Sequence, residues 1–245
     1  MSFSINSNVV NAVEPPIAEA QSWISGRTFP KNKPLLNLAQ AVPSYPPASS
    51  MSKHLADKLN LFETAQYTAI AGIPPLRNSL ASHMECSHGG RINPENVLIS
   101  AGCNQAFCLT IMAVAKAGDE VILSVPYYFN HMMWLEMLGI KPVLIPFRKD
   151  LSSVPSPEDV EGLITEKTKA IVLVSPNNPT GAIYPSNILS QFFELAHTSK
   201  IALVLDETYK DFLTTMPPHT IFHSSCWEET FVQLYSFSKV FSLTG

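Results

Sequence analysis

The chain has 245 residues, of which 46% are hydrophobic and 15% charged, and a formal net charge of −4. Such a length holds one large domain, or one domain and part of a second, and the apolar fraction is enough for a sizeable core, which excludes a disordered chain. Mild acidity without any basic run excludes nucleic acid and anionic membrane as evident partners.

Four cysteines (Cys86, Cys103, Cys108, Cys226) form no Cys-x-x-Cys pair, so a reducing compartment is expected. Met1-Ser-Phe-Ser-Ile-Asn6 lacks the basic and apolar regions of a secretory signal. The longest apolar runs have strand length and are too short to cross a bilayer, so a soluble, cytoplasmic protein is expected.

In chain order, residues 1–48 read as an irregular, proline-rich arm with one short helix near 17–25. Helical patterns follow over 51–61 and 75–86. From there strands and helices alternate. A short apolar strand is expected at 97–100, then a helix at 102–116 closed by Gly118, a strand at 121–125, a helix at 128–138 ended by Gly139, and a strand at 142–145. Ser156-Pro-Glu-Asp159 has the form of a helix start with a capping serine and proline in the first turn. A strand at 170–174, a helix at 185–199 and strands at 201–205 and 231–235 complete the pattern. Repeated βα units imply an α/β fold, a mostly parallel sheet with helices on both faces. In such sheets ligands bind beyond the carboxyl ends of the strands.

Polar segments follow those ends: Ser100-Ala-Gly-Cys-Asn-Gln105, Pro126-Tyr-Tyr-Phe129, Ser175-Pro-Asn-Asn-Pro-Thr-Gly181, Asp206-Glu-Thr-Tyr209 and Ser236-Phe-Ser-Lys239. Together they suit a flat, phosphorylated, aldehyde-bearing heterocycle. Gly102 lets the backbone approach a phosphate, which the free N–H groups of Cys103 and Asn104 would hold at a helix start. Tyr128 can stack on a ring, and Asp206 can pair with a protonated ring nitrogen. Asn178 and Tyr209 can donate to a ring oxygen, Ser236 and Ser238 to the phosphate, and Lys239 supplies an amine. Each feature alone has a plainer reading. Asn-Asn-Pro-Thr-Gly is a turn by composition, Gly102 a helix cap, and Tyr127 and Tyr128 serve equally as core aromatics.

Taken in order, these segments resemble the class I/II aminotransferase family of fold-type I pyridoxal-phosphate enzymes, from about Leu38 to Gly245. The sharpest match is Ser236-Phe-Ser-Lys-Val-Phe-Ser-Leu-Thr-Gly245, close to the family's lysine signature. The resemblance implies that Lys239 forms the Schiff base with pyridoxal phosphate and that an amino group moves from an amino acid to a 2-oxo acid. Tyr67-Thr-Ala-Ile-Ala-Gly-Ile-Pro-Pro-Leu-Arg77 resembles the segment whose tyrosine reaches the phosphate of the neighbouring subunit, which implies a homodimer with Tyr67 contributed across the interface. Residues 1–48 would then be an N-terminal arm and small-domain segment, and 49–245 an incomplete large domain. The family pattern continues past Gly245 with a phosphate-binding arginine, a further strand and a C-terminal small domain, so a C-terminally truncated chain is expected. Leu38-Ala-Gln-Ala-Val-Pro43, near the substrate in relatives, carries alanines where those usually have glycines.

Two alternatives share these residues: a carbon–sulfur lyase or aminocyclopropane-carboxylate-synthase-like enzyme on the same fold, and a non-catalytic remnant. No metal site is expected. His219 and His223 have the spacing of a zinc pair, but Pro217-Pro218 precede them and a surface loop is the simpler reading. His83 and His88 read as a solvated helix end.

Overall fold

The computed structural model describes residues 3–148 and 153–244. Among these residues five strands, β1 (Glu120–Ser124), β2 (Lys141–Ile145), β3 (Thr168–Val174), β4 (Ala202–Asp206) and β5 (Phe231–Leu234), form one sheet of order β2-β1-β3-β4-β5. Every pairing is parallel. Eight α-helices accompany them: α1 (Ser7–Asn11), α2 (Pro16–Ser22), α3 (Ser49–Leu59), α4 (Pro74–His88), α5 (Cys103–Val114), α6 (Phe129–Met137), α7 (Glu158–Glu161) and α8 (Ser186–Thr198).

The strands are apolar at nearly every position because both faces are covered. Ile122, Ile171, Leu173, Leu203 and Leu205 point into one core with Ala81 and Met84 of α4 and Leu189, Phe192, Phe193 and Ala196 of α8. Val121, Leu123, Ala170, Val172 and Val204 point into the other, with Phe107 and Ile111 of α5 and Met132 and Leu135 of α6. The two-residue period thus divides the central strands between the two helical layers, while the edge strand β2 leaves Leu144 exposed.

Residues 97–100 are extended but lie outside the sheet. A strand needs a ladder partner, and this segment spends its polar groups elsewhere: Ile99 N–H donates to Ala71 O (3.0 Å), and Val97 O accepts from Arg77 Nε (2.8 Å). The segment faces β5 across an apolar groove of about 470 Å³. β5 is an edge strand, with no ladder partner on its outer side among the described residues.

Other expected boundaries shift for local reasons. α5 ends at Val114 with Ala115 already extended, so Gly118 caps no helix. It serves the turn into β1, at φ +88° with its N–H on Gly139 O. α7 lasts four residues and no side chain caps it; the Ser156 carbonyl, not its hydroxyl, takes the Asp159 N–H.

Two histidine readings are corrected. His88 is fully buried, because α4 runs to the end of a face formed by Ala81, Met84 and His88 at helical spacing. His219 is also fully buried; the turn at Ile221–His223 packs Phe222 and Ile221 into the core beside it.

Residues 3–48 are mostly exposed, with Phe3, Leu36 and Leu38 at 80–90%. α1 rests on α6. α3 buries none of its residues.

Phe192 is completely buried at the centre of α8. Phe192→Ala is expected to lose roughly 3–5 kcal/mol in denaturant unfolding, whereas Leu36→Ala, at an exposed position, should stay within about 0.5 kcal/mol of the parent. Equal losses would mean that α8 does not cover the sheet.

Candidate active site

The carboxyl ends of β3, β4 and β5 and the starts of α5 and α6 surround a cleft of about 300 Å³. Gly102, Cys103, Asn104, Tyr128, Asn178, Asp206, Tyr209, Ser236, Ser238 and Lys239 all line it. Tyr67 does not; its side chain is fully exposed, away from the cleft.

Each wall has a local cause. Gly102 is the N-cap of α5 at φ +83°, ψ 168°, and an added Cβ would meet nothing within 4 Å. Glycine is therefore required there by backbone conformation rather than by crowding. The first helical bond runs from Ala106 N–H to Gly102 O, which leaves the N–H groups of Cys103, Asn104 and Gln105 at the helix start without intrahelical acceptors. The Asn104 side chain is tied down, its Oδ1 accepting from Trp134 Nε1 at 2.8 Å, so this residue offers the cleft its backbone.

On β3's side the two asparagines divide their work. Asn177 is buried and builds the turn: Oδ1 accepts from Thr180 N and Oγ1 (3.2 and 2.8 Å), and its own N–H donates to Ala182 O. Asn178, half-buried, is left to the cleft. After β5, Ser236 is buried and its Oγ accepts from Ser238 N (3.1 Å), curling the chain so that Ser238 and Lys239 return over the strand ends.

Asp206 ends β4 with 4% of its surface exposed. Its Oδ1 accepts from Thr208 N (3.0 Å) and Thr208 Oγ1 (2.7 Å), and its Oδ2 lies 3.4 Å from His131 Nε2. Burial alone would push this carboxyl up. The hydrogen bond and charge of His131, together with the two bonds from Thr208, outweigh that and hold it below the usual carboxylate range. The anion in turn acts on its neighbours. Burial first, and then Asp206's charge, keep the Cys103 thiol well above its ordinary value and raise the Tyr209 phenol. The same two causes push Tyr128 up to about 12. These groups stay protonated, so Tyr128 and Tyr209 remain donors.

Lys239 is half-buried, and burial lowers its amine from the ordinary lysine value. Its Nζ donates to Ala41 O at 2.8 Å. The arm is strapped to the lysine loop by two further residues: Tyr45 Oη donates to Lys239 O and Val240 O, and Ser242 Oγ donates to Tyr45 O. Ile17, Ala39, Gln40 and Ala41 thereby close one side of the cleft.

Sequence reasoning missed His131 and Thr208, which set the state of Asp206. A signal for His131 existed: it follows Tyr128, the N-cap of α6, by three residues, and in the structure its ring stacks on Phe107 with centroids 4.0 Å apart. Nothing in the sequence alone distinguishes Thr208 from a turn residue.

His131→Phe, which keeps a ring against Phe107, is expected to move acid unfolding to higher pH. A depressed folded-state carboxyl contributes stability above its unfolded value, about 3.9, and loses it as pH falls through the folded value. Without His131 the folded value rises, so the loss begins sooner. Far-UV circular dichroism against pH reads the midpoint, and an unchanged midpoint would show that His131 does not hold Asp206 ionised.

The model of the family Aminotransferase class I and II matches residues 33–245. A bifunctional aspartate and glutamate/aspartate-prephenate aminotransferase of Petunia hybrida is 28% identical over 239 residues, 96% of this chain and 50% of the relative. A probable aspartate/prephenate aminotransferase of Aquifex aeolicus is 34% identical over 183 residues, 74% of this chain and 46% of the relative. The chain thus spans about half the length of the curated relatives it matches. Among solved structures, an aspartate aminotransferase from Thermus thermophilus with maleate superposes with a TM-score of 0.84 at 27% identity, covering 100% of this chain and 63% of that one. The parallel sheet, the cleft at its carboxyl edge and the match over residues 33–245 together place the chain in the class I and II aminotransferase family.

Proposed function

We propose that the cleft binds pyridoxal 5′-phosphate and that the protein transfers an amino group from an amino acid to a 2-oxo acid, with Lys239 as the catalytic lysine. The observation that carries this reading is the donor set of one cleft: a half-buried amine, a buried ionised carboxylate, a glycine-started helix and two serines. That set fits the cofactor group by group. The free N–H groups of Cys103 and Asn104, with Ser236 and Ser238, suit a phosphate. Tyr128 gives an aromatic face. Asp206 keeps lone-pair capacity beside its Thr208 and His131 contacts for a ring N–H⁺.

When bound, the cofactor supplies an electron sink for the pair left at the substrate's α-carbon. The protein's residues do the rest. Lys239 would supply the amine for the cofactor's aldehyde carbon and a general base for the α-proton; its lowered affinity for a proton favours both roles. Asp206 would stabilise positive charge on the ring nitrogen, and Asn178 and Tyr209 would hold the ring oxygen through N–H and O–H donors.

The same reading makes the protein a homodimer, with Tyr67 reaching the phosphate of the partner's site. The complete exposure of Tyr67 and Ile70 supports it, as does α3, which buries nothing within its own chain. Residues 1–48 then form the arm and first segment of a small domain. The reading also places the protein in the cytoplasm, where four free cysteines are stable. No helix of the described residues is long and apolar enough to cross a membrane.

Borohydride reduction after incubation with pyridoxal phosphate, followed by digestion and mass analysis, is expected to leave a pyridoxyl group on the Lys239 peptide of the parent and none there in Lys239→Ala. Labelling spread over surface lysines, unchanged by Lys239→Ala, would overturn the assignment. In the loaded protein, turnover should require a 2-oxo acid; release of pyruvate and ammonia without one would indicate a lyase instead.

A further inference from the structure

β4 ends in two consecutive carboxylates, and the pleat sends them to opposite faces. Asp206 continues the Val204 face towards α5 and α6. Glu207 continues the Leu203–Leu205 face towards α4, on which the register also places Gln233, paired with Leu205. Glu207 is 1% exposed, and its side chain reaches three separate elements. Oε2 lies 3.1 Å from His88 Nε2 at the end of α4 and 3.3 Å from His219 Nε2 in the loop before Ile221–His223. It also accepts from Gln233 Nε2 on β5. Neither Glu207 nor its three partners lines the cleft.

The three atoms of Glu207, His88 and His219 lie within 4.8 Å of one another, close enough for ligands of a small divalent cation. The hydrogen positions argue for a proton network instead. The Ile221 N–H donates to His219 Nδ1 (3.2 Å), so Nδ1 holds a lone pair and the hydrogen sits on Nε2, aimed at Glu207. A metal ligand would need that Nε2 lone pair free. His88 Nδ1 has the Ser87 hydroxyl oxygen at 3.0 Å as well as Met84 O at 3.3 Å; with Nδ1 accepting from Ser87, the His88 hydrogen sits on Nε2 and points at Glu207. Gln233 Nε2 lies 3.2 Å from His88 Nε2, and the two sides of the network meet at Glu207 Oε2, their common acceptor.

We propose that Glu207 is a positioning residue for the cofactor site: its carboxylate, clamped between α4, β5 and the His219 loop, fixes both Asp206 and the turn that carries Ser236 and Lys239. The inference rests on the cofactor reading above. The mechanical path is short. Asp206 is the preceding residue, and Glu207 N–H donates to Leu234 O at 2.9 Å, extending the ladder one step beyond β4. Gln233 lies three residues before Ser236. One side chain therefore ties together the two strand ends that supply Asp206 and Tyr209 on one side of the cleft and Ser236 to Lys239 on the other. Each of the adjacent carboxylates has its own partners, His131 and Thr208 for Asp206 and the His88–His219–Gln233 set for Glu207, so neither competes for the other's. An amide in place of the Glu207 carboxylate would turn N–H donors towards the donors of His219 or Gln233 and open the clamp.

The test compares the parent, Glu207→Gln, Gln233→Met and a control, Phe192→Leu, which loosens the core without touching the network. Amide hydrogen exchange is read for residues 206–209 and 234–239 in the cofactor-free chain. The dissociation constant and absorption maximum for pyridoxal phosphate are then measured at equilibrium. Glu207→Gln is expected to speed exchange in both segments, to weaken cofactor binding about ten- to a hundredfold and to shift the absorption band. Gln233→Met should affect mainly 234–239, and the control neither segment at a matched loss of thermal midpoint. Unchanged exchange at both segments in Glu207→Gln would overturn the positioning role, as would the same changes in the control. A stoichiometric divalent metal retained by the parent against chelator and lost in Glu207→Gln would overturn the proton network. A parent that binds no pyridoxal phosphate refutes the cofactor reading alone, since exchange still decides the role of Glu207.

Discussion

A carboxylate at the end of a buried strand must stay charged in a place where water cannot help it, and much of the site is arranged around that requirement. Asp206 keeps its charge because Thr208 closes a tight turn onto one oxygen and His131 approaches the other. The turn sets the direction in which Tyr209 leaves β4, and His131 ties the start of α6 to the end of β4. Burial first, and the anion's field after it, then keep the surrounding phenols and the Cys103 thiol protonated. Removing the charge would remove the reason for several neighbours to be as they are.

The parallel sheet makes that arrangement possible. Because β3, β4 and β5 run the same way in adjacent register, Val174, Asp206 and Leu234 lie side by side, and the segments that follow them leave at one edge. The alternation of the strands then separates tasks. Even-numbered positions of β4 face the ligand side, and odd-numbered ones face α4 and α8, where Glu207 meets its histidines. A buried polar network on the far side of a site is costly unless every member has a partner, and here each of the four side chains has at least one.

Most of the architecture could be read in the sequence because the strands are short, apolar and regularly punctuated. Ala170–Val174 and Ala202–Leu205 admit little else, and ten of the eleven residues singled out for the site line one cleft. The exceptions are instructive. Residues 97–100 have strand composition, but a strand exists only with a neighbour, which composition cannot supply. Tyr67 was singled out by its surrounding motif and lies exposed, away from the cleft. His88 and His219 look like surface histidines, being flanked by Ser87, Gly89, Pro217 and Pro218. Their burial follows from contacts 119 and 12 residues away in Glu207. At His219 such a partnership leaves no local periodicity to read, whereas His88 continues the Ala81–Met84 face of its helix, a spacing masked by the polar residues around it.

The bond from Lys239 to Ala41 has a kinetic side. A lysine donating as an ammonium has no lone pair, and an amine held on a carbonyl is turned away from an arriving aldehyde. On the cofactor reading proposed above, capture would wait for the side chain to shed a proton and swing free of the arm, a unimolecular event that precedes bond formation. With aldehyde in excess, the observed rate should stop rising with concentration and level off at the rate of release, and that plateau climbs with pH until the amine is neutral. On that reading the arm segment from Ala39 to Tyr45, fastened by Tyr45 and Ser242, would act as a first-order delay on loading.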